Sequence, residues 1–406
     1  MPERNTILPR SWTRRLPALM VLLAGLLGAA AASAADRLAI GYLALERDAR
    51  YDARRVELRN LAQPRGPAMA GAEVALRESR VIGRRLGLSF ELDQASGRDA
   101  DQLLEALEGQ YASGVRFFLI DAPGEIVAML ASATRGRELL LFNVSAPEDV
   151  LRQEQCEAHL LHTVPNHAMR ADAIAQYLVS RSWRNVLLLR GPLEDDARLA
   201  AAFENAARRF GLRIVNQREF VLSNDPRLRD QGNVALLTGG VDHDVVFVAD
   251  ADGEFARGVP YATVRPRPVV GAEGLAALAW HWSWDRHGAP QLSGRLERQA
   301  ARRMAEPDWA AWIAVKAVVE AVQRTESADF GVLSSFIRGD EIILDGFKGN
   351  RLSFREWDNQ LRQPMLLATH NAVIARAPIE GFLHQHNNMD TLGFDRRDSR
   401  CTPAGK

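Results

Sequence analysis

Val115-Arg116-Phe117-Phe118-Leu119-Ile120-Asp121-Ala122-Pro123-Gly124-Glu125-Ile126-Val127-Ala128-Met129-Leu130 is the stretch that decides the fold class. An apolar run closes at Ile120 on an acid, a proline and a glycine, and the apolar positions then respace as on a helix covering 124–134. Residues 139–142, all leucine and phenylalanine, restore the short apolar run. A strand apolar on both faces, a helix, and another such strand form the repeating unit of a parallel sheet covered on both sides by helices.

The unit recurs to either side. Residues 37–43 read as a first buried strand, and a polar, arginine-rich stretch, 46–66, separates it from a helix opening at Pro67 with Met69, Ala72 and Leu76 on one face. Gly87 ends that helix, Leu88, Phe90 and Leu92 alternate as a strand, and Asp99 starts a helix with Leu103, Leu104 and Leu107 inward. An irregular stretch, 143–166, interrupts the rhythm. It restarts with a helix carrying Ile174, Tyr177 and Leu178, strands at 186–189, 212–215, 245–248 and 269–270, and a helix carrying Leu199, Phe203, Ala206 and Phe210 before Gly211. A strongly apolar helix at 309–323 follows, then one marked by Phe330, Leu333, Phe336 and Ile337, then short strands at 352–354 and 366–369 joined by the turn at Asp358-Asn359. Hairpin chemistry after two α/β runs predicts two lobes with the chain crossing between them more than once. The first takes 36–162 plus 276–345 and the second 163–275 plus 346–380, with a polar, extended tail at 381–406.

Composition agrees with two cores: 47% of the 406 residues are hydrophobic, and single cores stop growing near about 250–300 residues. Residues 1–35 read as a cleavable leader, with Arg4, Arg10, Arg14 and Arg15 basic, 16–32 apolar, and Ala32-Ser33-Ala34 the small-x-small cleavage pattern. The pair Arg14-Arg15 leaves both the general and the twin-arginine export routes open. Removing the leader takes one acid and four arginines from a chain of formal charge zero, leaving about three negative charges. That balance excludes nucleic acid and an anionic membrane surface as the main partner, and the leader places the chain in the periplasm with no membrane anchor. Cys156 and Cys401 are the sole cysteines, and in an oxidising compartment such a pair is expected to bridge.

Several stretches then resemble one family. Ile40-Gly41-Tyr42, Ala70-Gly71-Ala72-Glu73-Val74-Ala75-Leu76, Val270-Gly271-Ala272-Glu273-Gly274-Leu275 and Gly346-Phe347-Lys348-Gly349-Asn350-Arg351-Leu352-Ser353-Phe354 are similar, in order and spacing, to the type I periplasmic solute-binding proteins of ABC transporters, the leucine/isoleucine/valine-binding class. Tyr261-Ala262-Thr263-Val264-Arg265-Pro266-Arg267-Pro268-Val269-Val270-Gly271 and Asp390-Thr391-Leu392-Gly393 resemble, more narrowly, binding proteins associated with pyrroloquinoline-quinone-dependent alcohol dehydrogenase systems. The resemblance implies a two-lobed type I fold with a ligand cleft between the lobes. It further implies capture of a small molecule by lobe closure, an ABC permease in the inner membrane as partner, and neither cofactor nor enzymatic activity. A periplasmic sensor or scaffold subunit with a degenerate cleft is the alternative.

In open parallel sheets ligands sit beyond the carboxyl ends of the strands, which nominates Ser96, Asp121, Ala122, Ser145 and Ala146 in the first lobe and Leu193, Asp252 and Glu273 in the second. By the resemblance, Ser145 stands where a hydroxyl holds the ligand carboxylate, Glu273 matches one of two acids that hold its ammonium, and the other falls at the neutral Asn166. Asp121 stands where a serine is implied, and an acid there repels a carboxylate. Asp121 also reads as a helix N-cap, Ser145 as a cap for the segment at Pro147, and Glu273 as a solvated turn acid. Trp280, Trp282 and Trp284 alternate, fitting either an aromatic cleft or core packing at the hinge. Neither the group His159, His162 and His167 nor His384-Gln385-His386 completes a recognised metal loop, and the chain carries no nucleophile elbow or phosphate loop.

Overall fold

The computed structural model describes residues 36–52 and 66–402; the leader and its cleavage site lie outside the described residues. In chain order, β1 (Asp36–Leu45), α1 (Met69–Leu86), β2 (Leu88–Gly97), α2 (Ala100–Ala112), β3 (Phe117–Asp121), α3 (Gly124–Ala133), β4 (Leu140–Asn143) and β5 (Leu160–His162) build a five-stranded sheet of order β2-β1-β3-β4-β5. The strands β1, β3, β4 and β5 run parallel. Every residue of β3 and β4 is buried, which is the reason both read as continuous apolar runs. One face of the sheet packs on α2 and α3 through Leu103, Leu107, Val127 and Leu130, and the other carries Ile40, Phe117 and Phe142 into a larger core.

A second unit follows: α4 (His167–Ser180), β6 (Asn185–Arg190), α5 (Glu194–Phe210), β7 (Arg213–Glu219), α6 (Val234–Thr238), β8 (Val245–Ala249), α7 (Val259–Ala262) and β9 (Val269–Gly271). Its sheet has the order β7-β6-β8-β9, and all its pairings are parallel. Gly87 and Gly211 close α1 and α5 in the left-handed region, at φ 69° and 70°, where an added Cβ is disfavoured.

Strand β10 (Ala276–Leu278) leads back to α8 (Ala289–Ala300), α9 (Glu306–Thr325) and α10 (Phe330–Arg338), whose buried faces join the core of the first sheet. The closest helix approach there explains a motif residue: a Cβ on Gly71 of α1 would lie 1.9 Å from the Asp308 carbonyl at the start of α9. Asp308 is itself buried, accepts from the Ala305 amide at 2.8 Å and pairs with Arg302 at 2.6 Å, so the N-terminus of α9 is capped and fixed against α1.

Two expectations need correction. The strands foreseen at 352–354 and 366–369 do not pair with each other. Leu352 lies in β12 (Arg351–Leu352) against β11 (Leu344–Asp345), whereas β13 (Met365–Ala368) lies between β10 and β14 (Val373–Ala377), antiparallel to both. The turn at Asp358-Asn359 is closed instead by the bridge between Phe354 and Leu361, with the Arg355 amide donating to the Gln360 carbonyl at 3.0 Å and the Arg362 amide to the Ser353 carbonyl at 2.8 Å. The tail is not an extended appendage either. It forms a 3-10 turn at Asn388–Thr391, buries Met389 and Asp390, and inserts Leu392 into the core beside α4.

Candidate functional site

In a sheet of order 2-1-3-4-5 the crevice lies where β1 and β3 send their connections to opposite sides, beyond their carboxyl ends. Asp121 is the last residue of β3, in register with Ala44 of β1. Its side chain is fully buried and surrounded by donors. Tyr42 Oη–H and Tyr51 Oη–H each donate to it at 2.8 Å, the Ala68 amide at 3.0 Å and Arg50 Nη2 at 3.2 Å. Burial, reinforced by the neighbouring carboxylate, raises both tyrosines well above the usual phenol range, so they stay neutral donors. Asp121 is therefore neither a helix cap, since Pro123 precedes α3 without a side-chain cap, nor an exposed charge facing a ligand. It fixes the 48–51 turn, where Arg50 also pairs with Asp48 at 2.5 Å.

That turn walls a chamber of about 270 Å³. Arg50 and Tyr51 line one side, Ser145 and Pro147 after β4 another, and Leu278, Trp280, His281 and Trp282 after β10 a third; Met304, Ala305, Glu306 and Pro307 close it. Trp280 is 1% exposed and stacks on Trp309 at 6.4 Å, while the Arg303 guanidinium lies 3.6 Å over the Trp282 ring. The indole N–H groups of Trp280 and Trp282 are buried without an acceptor among the described residues. Trp284, by contrast, is spent on structure: its N–H donates to the Phe347 carbonyl at 3.0 Å. The alternating tryptophans are thus divided between core and chamber. His281 accepts the Ser283 amide proton on Nδ1 at 3.2 Å, and burial, with Arg303 and His370 adding to it, lowers its pKa to about 4. It is a neutral wall group.

The ionic groups around the chamber are mostly paired. Arg50 is matched by Asp48 and Asp121, Arg302 by Asp308, and Glu306 by Arg170 at 2.8 Å across from α4. Arg303 pairs with no carboxylate among the described residues. The walls are aromatic, and the named charges balance, four arginines against four carboxylates, with Arg303 the cation held on an indole face.

The remaining nominated residues are dispersed. Ser145 reaches the chamber, with its hydroxyl 3.4 Å from the Ala122 carbonyl, and it caps no helix. Ala122 and Ala146 are buried, and the Ala146 amide donates to Asn143 Oδ1 at 2.8 Å. Ser96 lines a separate, larger cavity of about 900 Å³ with Tyr42, Met69 and Gln94. Asn166 is 1% exposed and its Oδ1 accepts from the Met169 amide at 3.0 Å, so it is the N-cap of α4. Leu193 is 44% exposed at the start of α5, where its amide donates to Asp196 at 3.0 Å. Asp252 is half-buried in the turn after β8. Glu273 is half-buried between the left-handed glycines Gly271 and Gly274 and makes no side-chain hydrogen bond or ion pair among the described residues. His159 bonds Thr134 at 3.0 Å and His162 bonds Asn143 at 3.1 Å, and among the described residues no group of three or more His, Cys, Asp or Glu is placed to hold a metal ion. Cys156 and Cys401 are joined by a disulfide with their Cα atoms 5.5 Å apart. Arg50, Tyr51, Met304 and Glu306 escaped the sequence reading. The first two sit in a stretch whose polarity signals only a connection, and the last two meet them only in three dimensions.

No protein-family profile matches the chain, and no curated protein matches it in sequence. Solved structures do match. A branched-chain amino acid ABC transporter periplasmic ligand-binding protein from Burkholderia xenovorans LB400 superposes with a TM-score of 0.70 at 14% identity, covering 90% of this chain and 99% of that one. An ABC transporter solute-binding protein from R. palustris, solved with benzoate, gives 0.63 at 10% identity over 90% and 99%. Another from Rhodopseudomonas palustris BisB5, in complex with 3,4-dihydroxybenzoic acid, gives 0.61 at 13% over 82% and 93%. The chain thus has the two-lobed fold of type I periplasmic binding proteins, with mostly parallel sheets flanked by helices.

Proposed function

We propose that this chain is the periplasmic solute-binding subunit of an ABC importer, and that it closes its two lobes on a small planar solute seated against Trp280, Trp282 and Tyr51. The observation that carries this reading is the chamber itself. It sits beyond the carboxyl edge of the first sheet, lined by residues of the first lobe and met by the second lobe at Arg170, which pairs with Glu306, with two buried indole donors lacking acceptors among the described residues and with Asp121 held by its donors behind the wall. The volume, about 270 Å³, falls just below the roughly 300–1,000 Å³ of drug-sized pockets, which suits an occupant of about ten heavy atoms. An aromatic or similarly flat carboxylic acid meets these features best. Its ring stacks on indole, and its acid group faces N–H donors and the Arg303 guanidinium beside Trp282. The benzoate and dihydroxybenzoate found in two similar folds agree with that chemistry. A standard amino acid fits less well, because Asn166 is consumed as a helix cap and Glu306, the acid on the chamber wall, is paired with Arg170.

In this reading the lobes are the segments 36–162 plus 276–345 and 163–275 plus 346–380. The ligand acts by binding the closed form more tightly than the open one, and ATP hydrolysis belongs to the transporter. The link to quinoprotein alcohol oxidation rests on sequence alone; within those stretches Tyr261 is 84% exposed and has no packing role, as a contact residue for another protein would be.

Thermal shift of the mature chain against benzoate, 3,4-dihydroxybenzoate, leucine, alcohols, aldehydes and the quinone cofactor tests the proposal. Binding at a hundredfold excess over Kd stabilises by about 2.7 kcal/mol. A flat response to every compound, with a periplasmic dehydrogenase captured in pull-down, favours the scaffold reading instead.

A further inference from the structure

Residues 381–402 run from one lobe to the other and are fastened at both ends. On the second lobe, Gln176 of α4 donates to Thr391 Oγ1 at 3.1 Å and the Gly393 amide donates to Asp172 at 2.7 Å. Arg209 of α5 bonds both Asp172, at 2.8 Å, and the Gly393 carbonyl, at 2.7 Å. Leu392 is fully buried in that lobe's core. Midway, Arg355, 1% exposed, donates to Asp390 at 2.8 Å and to the Met389 and Leu392 carbonyls at 3.0 and 2.7 Å. The loop that carries Arg355 is docked on the first lobe, where the His162 amide donates to the Asn359 carbonyl at 3.0 Å and the Leu361 amide to the His162 carbonyl at 2.9 Å. At the far end the Arg400 amide donates to Gln153 at 2.8 Å, and Cys401 is bonded to Cys156, both partners lying between β4 and β5.

We propose that residues 388–401 are a strap across the hinge whose covalent anchor, Cys156–Cys401, limits how far the lobes open, so that the resting angle of the unliganded protein depends on the redox state of that pair. The geometry sets the limit directly. Eight Cα-to-Cα steps separate Gly393 from Cys401 and can span at most about 28 Å when fully extended. Opening beyond that length has to pull Leu392 out of the core or release Gly393 from Asp172 and Arg209. With the disulfide intact the released segment stays at a high effective concentration, about millimolar, and rebinds. Without it the far end is held by noncovalent contacts: Arg400 with Gln153 and, at 2.8 Å, with the exposed Glu154, the Trp357 indole N–H to the Phe394 carbonyl at 3.1 Å, Ser399 to the Trp357 carbonyl at 3.4 Å, and the exposed pair Arg396–Glu356, and exposed pairs of that kind add little. Dithiothreitol breaks the anchor by giving two electrons and two protons to the disulfide, leaving two thiols and the cyclic disulfide of the reductant. The inference rests on the two-lobed fold and not on the ligand, so its failure leaves the proposed function standing.

Small-angle X-ray scattering of the unliganded mature chain tests it in four forms: oxidised, reduced with dithiothreitol, Cys156→Ser with Cys401→Ser, and Gln176→Ala with the disulfide retained. The expected result is a pair-distance distribution shifted to longer distances in the reduced and double-serine forms. A smaller shift is expected for Gln176→Ala, which loosens the opposite anchor, and this form stays informative should either of the other two fail to fold. Hydrogen exchange at Leu392 and Gly393 should accelerate about tenfold in the same forms. Superimposable scattering curves overturn the proposal, including the case where the melting temperature falls, because a bond that merely stabilises lowers the melting point without changing the lobe separation.

Discussion

Replacing Asp121 by asparagine keeps the shape of the side chain and removes its charge, and the structure makes the outcome calculable. The carboxylate accepts four hydrogen bonds, from Tyr42, Tyr51, the Ala68 amide and Arg50, in a site with no solvent access. Asparagine offers one acceptor oxygen in place of two and points an amide N–H₂ at donors. The two hydroxyls can rotate away, but the Ala68 amide and the Arg50 guanidinium cannot both be satisfied. An unpaired buried amide costs about 1–3 kcal/mol and a broken buried charge pair about 3–5 kcal/mol. Arg50 keeps Asp48, which reduces the second figure, so a loss of about 4 kcal/mol is the working value. At roughly 2–4 °C per kcal/mol for a unit of this size, the melting temperature by calorimetry falls by about 8–16 °C. Because the same carboxylate fixes Tyr51 and Arg50 at the chamber, any ligand-induced shift should disappear together with the stability. A loss below about 1 kcal/mol refutes the assignment of Asp121 as the organiser of this wall.

Gly71→Ala drives a Cβ into the Asp308 carbonyl, forces α1 and α9 apart, and should cost at least about 3 kcal/mol by chemical denaturation; a change within 0.5 kcal/mol contradicts the helix crossing described above. Asn166→Ala removes a helix cap and should cost about 1 kcal/mol while leaving ligand affinity unaltered by isothermal calorimetry, whereas a selective loss of affinity would restore Asn166 to the site. His167 is half-buried at the start of α4, and desolvation there, followed by Arg170 and Arg152, lowers its pKa to about 3 from an unfolded value near 6.5. Its contribution is therefore fully present above pH 6.5 and is lost as the pH falls toward 3, about 3 kcal/mol of it by pH 4.5. His167→Gln should flatten the acid limb of the stability profile over pH 4.5–6.5, and an unchanged limb assigns the acid loss to other groups.

The sheets were legible because their strands are buried on both faces: the runs at 117–121, 140–143 and 245–249 carry only one strand-ending acid and one asparagine among apolar residues. Helix ends were legible where the cap is local, as at Asp99, which accepts from the Gln102 amide, and at Gly87 and Gly211. The chamber was not. Tyr51 and Asp121 are 70 positions apart and are joined by one hydrogen bond that no local spacing encodes. Trp280, Trp282 and Trp284 alternate in sequence, but Trp282-Ser283 form a turn in which the Trp284 amide donates to the His281 carbonyl at 3.0 Å, and the fates of the three diverge according to which neighbour arrives, Trp309, the Phe347 carbonyl or Arg303. The tail misled for a similar reason. Its polar residues serve buried partners, Asp390 bonding Arg355 and Gly393 bonding Asp172, and polarity in sequence does not separate a solvated segment from a fully satisfied buried one.

In the proposed function the chamber beside Trp282 receives a small planar acid. Thermal shift of the mature chain and of its Trp282→Ala variant, each titrated with benzoate and 3,4-dihydroxybenzoate, decides whether it does. The account predicts a saturable rise in melting temperature for the parent chain with at least one of the two acids, worth about 2.7 kcal/mol at a hundredfold excess over Kd, and its loss in Trp282→Ala although that variant remains folded. A rise that survives in Trp282→Ala, or no rise with either acid, contradicts it.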